Sequence, residues 1–84
     1  MTHLWTEPME IKVEASRAGL PLAFRWTGRP YGVSQIANHW RVHTHWWREE
    51  IRREYFKVVT DSKLLCTLYH DLLADHWYLE RVYD

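Results

Sequence analysis

The residues whose types could do chemistry are concentrated in one short stretch, residues 39–47 (HWRVHTHWW), which holds three histidines and three tryptophans in nine positions. In an extended strand the histidines would share one face, because side chains alternate and the spacing is even, unless a bulge intervened. They are His39, His43 and His45. Imidazole is a good zinc ligand, and Cys66 or Asp71 could complete a tetrahedral site. The spacing matches no common zinc module, and the bulky residues between the histidines oppose a compact site. We therefore expect surface histidines and neither a metal nor a cofactor.

Nucleophilic catalysis is the second chemistry that the residue types suggest. Cys66, the only cysteine, stands four residues before His70 in the stretch LLCTLYHD. A thiolate–imidazole pair needs contact between sulfur and nitrogen, whereas on one strand the two residues would be ~13 Å apart at ~3.3 Å per residue. The adjacent carboxylates of Glu49 and Glu50 lie in a charged stretch, and the three glycines are scattered. We therefore expect Cys66 to be a small buried hydrophobic residue and the protein not to be an enzyme.

Tryptophans and arginines are interleaved over residues 40–53, which favours a binding surface. In a strand, Trp46 and Trp47 would point to opposite faces, so one of them would lie outside the core. Trp and Arg are enriched at protein-binding hot spots, while single-strand nucleic-acid binders combine aromatic platforms with a basic groove. We interpret the stretch as a protein-interaction surface. Two alternatives stay open: a single-stranded nucleic-acid site, and a tryptophan core with arginines as its solvated rim. The candidate binding residues are Trp47, Arg48, Arg52, Arg53 and Arg41.

The net charge gives no general attraction to nucleic acid or to a membrane, because eleven basic residues balance eleven acidic ones. The charges are unevenly spread. Residues 25–57 carry seven basic and three acidic residues, a balance of +4, whereas residues 1–24 balance at −1 and residues 58–84 at −3. Folding could separate the two signs or mix them. No early basic stretch leads into an apolar one, and no apolar run approaches ~20 residues. We expect a soluble, cytoplasmic protein without membrane contact.

The elements that must position these residues are mostly predicted strands. Residues 11–15 alternate apolar and charged side chains, and residues 55–60 are rich in β-branched and aromatic types. Residues 48–54 (REEIRRE) have a helix-favouring composition but are too few for a stable helix, so they predict a loop or a single helical turn. The predicted strands are residues 11–15, 22–27, 31–42 (bent or bulged near Gly32 and Asn38), 55–60, 64–71 and 76–83.

Five or six short predicted strands in a chain of 84 residues favour an all-β fold. We expect a small, SH3-like, partly open antiparallel barrel of five or six strands, with one short helical or irregular insert near residues 48–53. Residues 1–84 form a single domain, and whether residues 1–10 are ordered or a loose N-terminal arm stays open. Alternation predicts one shared face for Leu22, Phe24 and Trp26, and one for Trp77, Leu79, Arg81 and Tyr83.

The spacing of the aromatic residues resembles that of a small uncharacterised bacterial domain family. Its pattern runs P-x-x-F-x-W-x-G-x-x-Y-x-V, a Trp, a WW pair, Y-F-x-V-x-T and a closing W-Y-L-x-R-V-Y-D. The matching residues, which span about residues 20–84, are Pro21, Phe24, Trp26, Gly28, Tyr31, Val33, Trp40, Trp46, Trp47, Tyr55, Phe56, Val58, Thr60, Trp77, Tyr78, Leu79, Arg81, Val82, Tyr83 and Asp84.

A similar ending, with a WW pair and a terminal W-x-x-x-x-V-Y-D, occurs in ImuB proteins. These are inactive relatives of Y-family polymerases that serve as adaptors in bacterial mutasomes. The resemblance implies DNA-damage tolerance as a context and a protein partner as the expected ligand. It supplies no catalytic residues, because this chain has nothing corresponding to a polymerase palm or fingers.

Overall fold

The computed structural model describes the backbone of residues 2–45 and 50–83, and the side chains of residues 8–45 and 50–83. These residues form six antiparallel strands in the order of the sequence, and the first strand pairs with the last to close a barrel. The strands are β1 (Thr2–Ala15), β2 (Pro21–Trp26), β3 (Arg29–His45), β4 (Glu50–Thr60), β5 (Leu65–Asp71) and β6 (His76–Tyr83). The predicted all-β barrel is therefore confirmed, although it is closed rather than partly open.

The predicted helical or irregular insert near residues 48–53 is wrong for residues 50–53, which are the first part of β4. The remainder of the insert, residues 48–49, lies outside the described residues. Pairing with β3 overrides the helix-favouring composition, since Arg52 lies opposite His43 and Glu54 lies opposite Arg41. Across residues 2–45 and 50–83 there is no helix, and so none that could span a membrane.

β1 closes the barrel because it pairs with strands on both of its sides. Its backbone pairs with β6 through residues 2–4 and 9–11, and with β2 through residues 12–15. The backbone of residues 2–10, whose order the sequence left open, therefore belongs to the barrel wall. Since the two termini lie side by side in β1 and β6, each terminal strand holds the other in place.

The long strand β3 is bent by two bulges. The pairing with β4 shifts between Val33 and Gln35 and again between Ile36 and Asn38, which leaves Ser34 and Ala37 as the extra residues. A bend near Asn38 is thus confirmed within one residue. Gly32 has a different role: a Cβ atom there would collide with the carboxylate of Asp61, whose backbone N–H donates a 2.9 Å hydrogen bond to the Gly32 carbonyl.

Two further bulges change which side chains face the core. In β2, Leu22 is the extra residue opposite Glu14 and Ala15, and it is 51% exposed, so its predicted place beside Phe24 and Trp26 is wrong. In β6, the extra residue Glu80 reverses the alternation. Val82 therefore joins Trp77 and Leu79 inside, and Arg81 and Tyr83 lie on the opposite face from the one predicted. The buried core consists of Ile11, Phe24, Phe56, Val58, Cys66, Leu68, Trp77, Leu79 and Val82.

The hairpin of β3 and β4 extends beyond the closed part of the barrel. β2 pairs with β3 only through residues 29–32, whereas β4 pairs with β3 from Val33 to His45. Along residues 33–45, the described part of the chain therefore supplies a partner strand on one side of β3 only. The molecule is elongated accordingly, with extents of 42 × 31 × 23 Å.

Candidate interaction surface

Four aromatic side chains form a row across the outer face of the sheet. They lie directly opposite one another on β3, β4, β5 and β6, in the order Trp40, Tyr55, Tyr69 and Tyr78. Neighbouring ring centroids are 5.3, 5.1 and 5.1 Å apart, and the Trp40 and Tyr55 rings are inclined by only 7°. Aromatic contacts at these distances each contribute about 0.5–1.5 kcal/mol beyond the area that they bury. We call these four residues the outer aromatic row.

Stacking determines which ring of the outer aromatic row is available to a ligand. Tyr55 and Tyr69 have a neighbouring ring on each side and are buried. Trp40 ends the row on β3, where the described residues supply no further strand, and it is 38% exposed. One face of the Trp40 indole stacks on Tyr55, and among the described residues no other ring stacks on it.

Arg53 holds a fixed positive charge beside the outer aromatic row. Its guanidinium lies 4.6 Å from the centroid of the Tyr69 ring, and Nη1 donates a 3.3 Å hydrogen bond to the Tyr55 hydroxyl. Burial disfavours the charge, but the hydrogen bond to Tyr55 and the nearby Tyr69 and Asp71 outweigh that effect and raise the pKa of Arg53. The Arg53 guanidinium is therefore engaged inside the domain, where its cation–π contact with Tyr69 and its hydrogen bond to Tyr55 hold the two rings in place.

The opposite face of the projecting hairpin is polar and contains two shared carboxylates. Glu54 Oε1 lies 2.7 Å from His39 Nε2 and 3.4 Å from Arg41 Nε. Glu50 Oε2 lies 2.9 Å from His43 Nε2 and 3.2 Å from Arg52 Nε. We call His39, Arg41, His43, Glu50, Arg52 and Glu54 the polar face.

The contacts of Glu50 keep it ionised. The hydrogen bond with His43 lowers the pKa of Glu50, desolvation opposes it, and the positive charge of Arg52 adds a further lowering. The Glu50 carboxylate therefore lies between two groups that favour its charged form, His43 and Arg52.

The structure divides the predicted binding residues between the two faces. Arg41 and Arg52 belong to the polar face, whereas Arg53 lies on the outer face with the aromatic row. Trp47 and Arg48 lie outside the described residues. The exposed tryptophan on the described outer face is Trp40, which sequence reasoning placed in the stretch but did not select. The alternation of Trp40 with the polar residues His39 and Arg41 indicates that the two types of side chain face opposite ways. The three tyrosines of the row come from other strands, so the sequence around Trp40 does not indicate them.

The three histidines considered as zinc ligands do share one face, because no bulge falls between residues 39 and 45. However, His39 and His43 are each paired with a different carboxylate. Within residues 8–45 and 50–83, no group of three or more His, Cys, Asp or Glu side chains is arranged to hold a metal ion.

Cys66 lies in the core, as expected for a small hydrophobic residue. Burial raises the pKa of Cys66 to about 12, so at neutral pH it is a thiol rather than a nucleophilic thiolate. His70 lies on the same strand and stacks on Trp77 with ring centroids 4.4 Å apart.

The geometry defines a class of protein: a small closed barrel of six antiparallel strands, with an aromatic outer face and one hairpin that extends beyond the closed part of the barrel. The chain belongs to the family described as domain of unknown function DUF6504, whose model matches residues 1–84. This confirms the resemblance to a small uncharacterised domain family and extends it over the N-terminal residues. Searches of curated proteins and of solved structures each found no match.

Proposed function

We propose that the domain is a non-enzymatic protein-interaction module, and that its contact surface is the Trp40 end of the outer aromatic row. The observation that carries the proposal is the exposed indole of Trp40, at the end of a row whose inner members are buried. A large ring already fixed by stacking on Tyr55 loses little conformational entropy when a partner packs on it, and this favours its use as a hot spot.

The charges around Trp40 support a protein partner over nucleic acid. Arg41 and Arg52 already share Glu54 and Glu50 with histidines, and Arg53 lies over a tyrosine ring. A single-strand site needs several available cations along a groove and several ring faces on which bases can stack, whereas one carboxylate needs only one exposed cation such as Arg41, which is 74% exposed. In the outer aromatic row the rings stack on one another, so ring faces not covered by the row remain only at its two ends, Trp40 and Tyr78.

Single-stranded nucleic acid is the second candidate. The specific observation in its favour is that the Arg41 side chain, 74% exposed, lies next in sequence to the exposed Trp40 ring. The resemblance to the end of ImuB proteins gives both candidates the same proposed setting, an adaptor role in bacterial DNA-damage tolerance. In the protein-interaction proposal the partner would be another component of the repair machinery.

Site-specific photocrosslinking separates the two candidates. A benzophenone amino acid replaces Thr44, which is exposed on β3, or Leu73 as a matched control, which is exposed in the β5–β6 turn. The proposal expects a discrete protein adduct from position 44 that disappears when Trp40→Ala is added, with none from position 73. A nuclease-sensitive adduct, together with salt-dependent tryptophan quenching by an oligonucleotide, would instead establish the second candidate. An adduct that is the same with and without Trp40 would refute both.

A further inference from the structure

The free edge of β3 offers a second set of binding groups beside Trp40, namely unpaired backbone. β2 leaves β3 after residue 32, and β4 occupies the other side. The first part of the exposed edge is irregular, because bulges fall at Ser34 and Ala37. Next, the Asn38 side-chain oxygen accepts a 2.8 Å hydrogen bond from the His39 backbone N–H. Regular unpaired edge therefore runs from Trp40 to His45, and we call this segment the open edge.

The bond to Asn38 also shows which backbone groups face outward. The His39 N–H is directed at the Asn38 side chain, and therefore away from β4. In an antiparallel pair, residues alternate between those that bond to the partner strand and those whose N–H and C=O point the other way. By this alternation the N–H groups of Arg41, His43 and His45 also face outward, while those of the residues between them bond to β4.

The open edge has basic but no acidic side chains. Its residues 40–45 include Arg41, His43 and His45 and no Asp or Glu. The carboxylates that complement it come from β4, where Glu54 lies opposite Arg41 and Glu50 lies opposite His45. At the third polar-face position β4 places Arg52 opposite His43, and Glu50 lies within reach of both of these side chains. β4 supplies these carboxylates on one side of β3 only. A second copy of β3 on the other side would place arginine and histidine against the same residue types, which is unfavourable.

We infer that the open edge binds an extended acidic segment of a partner protein as an added strand, in which acidic and apolar residues alternate. Carboxylates on one face of the added strand lie beside Arg41 and His43. Apolar side chains on its other face lie beside Val42 and against the exposed indole of Trp40. The inference rests on the proposed interaction role and adds the main-chain hydrogen bonds and the charge pattern of the ligand.

Removing one outward N–H tests the inference directly. His43→Pro deletes an edge donor, and proline is tolerated on an edge strand when its missing N–H faces solvent. His43→Ala is the matched control, because it removes the same side chain but keeps the donor. Far-UV circular dichroism and thermal unfolding establish that both variants keep the fold. The probe is a fluorescein-labelled seven-residue peptide of alternating Glu and Leu, compared with one of alternating Lys and Leu in an anisotropy titration.

We expect the Glu–Leu peptide to bind at least tenfold more tightly than the Lys–Leu peptide. We expect His43→Ala to weaken binding by less than threefold and His43→Pro by about tenfold. Equal binding by the two variants, or equal binding of the two peptides, would overturn the inference. So would no binding at millimolar peptide, or a dimer of the free protein that His43→Pro dissociates, since a second copy would then occupy the edge. These outcomes are distinct from failure of the interaction role itself, which the Trp40-dependent crosslink reports.

Discussion

The buried thiol of Cys66 makes the stability of the barrel depend on pH by an amount that can be calculated. Burial raises its pKa from the ordinary value of 9.0 to about 12. A group whose pKa is raised on folding contributes stability below its unfolded pKa, and that stability is lost as the pH rises toward the folded value. Between pH 8 and pH 10 the unfolded thiol loses its proton while the folded one keeps it. The free energy of unfolding should therefore fall by about 1.4 kcal/mol from Cys66 alone.

The measurement is urea unfolding, followed by tryptophan fluorescence, of the natural protein and of Cys66→Ala at both pH values. The variant should lose about 1 kcal/mol at pH 8 because a small cavity replaces the sulfur. Its further loss between pH 8 and pH 10 should be smaller than that of the natural protein by about 1.4 kcal/mol. Tyr69, whose pKa burial raises, and Tyr83, whose pKa its hydrogen bond to Thr67 lowers, also affect stability in alkali, but they are common to both proteins and cancel. The same pH dependence in both proteins would refute the reasoning.

Three further predictions concern the fold and are read out by chemical or thermal unfolding. Thr27→Asn should raise the free energy of unfolding by about 0.5–1 kcal/mol, because the β2–β3 turn holds the β-branched Thr27 at a φ of 53° beside Gly28, and Asn-Gly is favoured there; no gain would contradict this. Phe56→Ala should cost about 3–5 kcal/mol, since its ring is fully buried, and a loss below 1 kcal/mol would show a poorly packed centre. Deleting residues 77–84 should abolish the cooperative thermal transition, because β6 pairs with both β5 and β1.

The strands were predictable where one segment carries its own pattern. Residues 55–60 lie in β4, which begins five residues earlier than expected, and residues 64–71 match β5 within one residue, since β-branched and aromatic residues are frequent in both. The bulges were not predictable, because a bulge is a property of two paired strands rather than of one segment. That is why Leu22 was expected in the core and is exposed, and why Val82 and Tyr83 exchange faces beyond Glu80.

The candidate surface was predictable in composition but not in geometry. Alternation implied that either Trp46 or Trp47 would face outward, and both lie outside the described residues, whereas the exposed Trp40 was not selected. The outer aromatic row was not anticipated, since it depends on the register that places Tyr55 opposite Tyr69 and Tyr69 opposite Tyr78. The charge balance of residues 25–57 left open whether the two signs separate or mix, and on the polar face they mix, since Glu54 lies within reach of Arg41 and Glu50 within reach of Arg52.

The projecting hairpin gives a physical reason to expect an added strand. A two-stranded hairpin is only marginally stable in water, and here residues 43–45 of β3 and 50–52 of β4 extend past β2 on one side and β5 on the other. Intramolecular contacts compensate in part: Trp40 stacks on Tyr55, and His39 stacks on Phe56 with ring centroids 4.4 Å apart. The exposed ion pairs of the polar face add little, since such pairs contribute at most about 1 kcal/mol each. A third strand on the open edge would satisfy the outward N–H groups and cover Trp40 at once. Binding should therefore slow hydrogen exchange at the outward N–H groups of Arg41, His43 and His45, and a bound peptide that leaves their exchange unchanged would show that the ligand lies elsewhere.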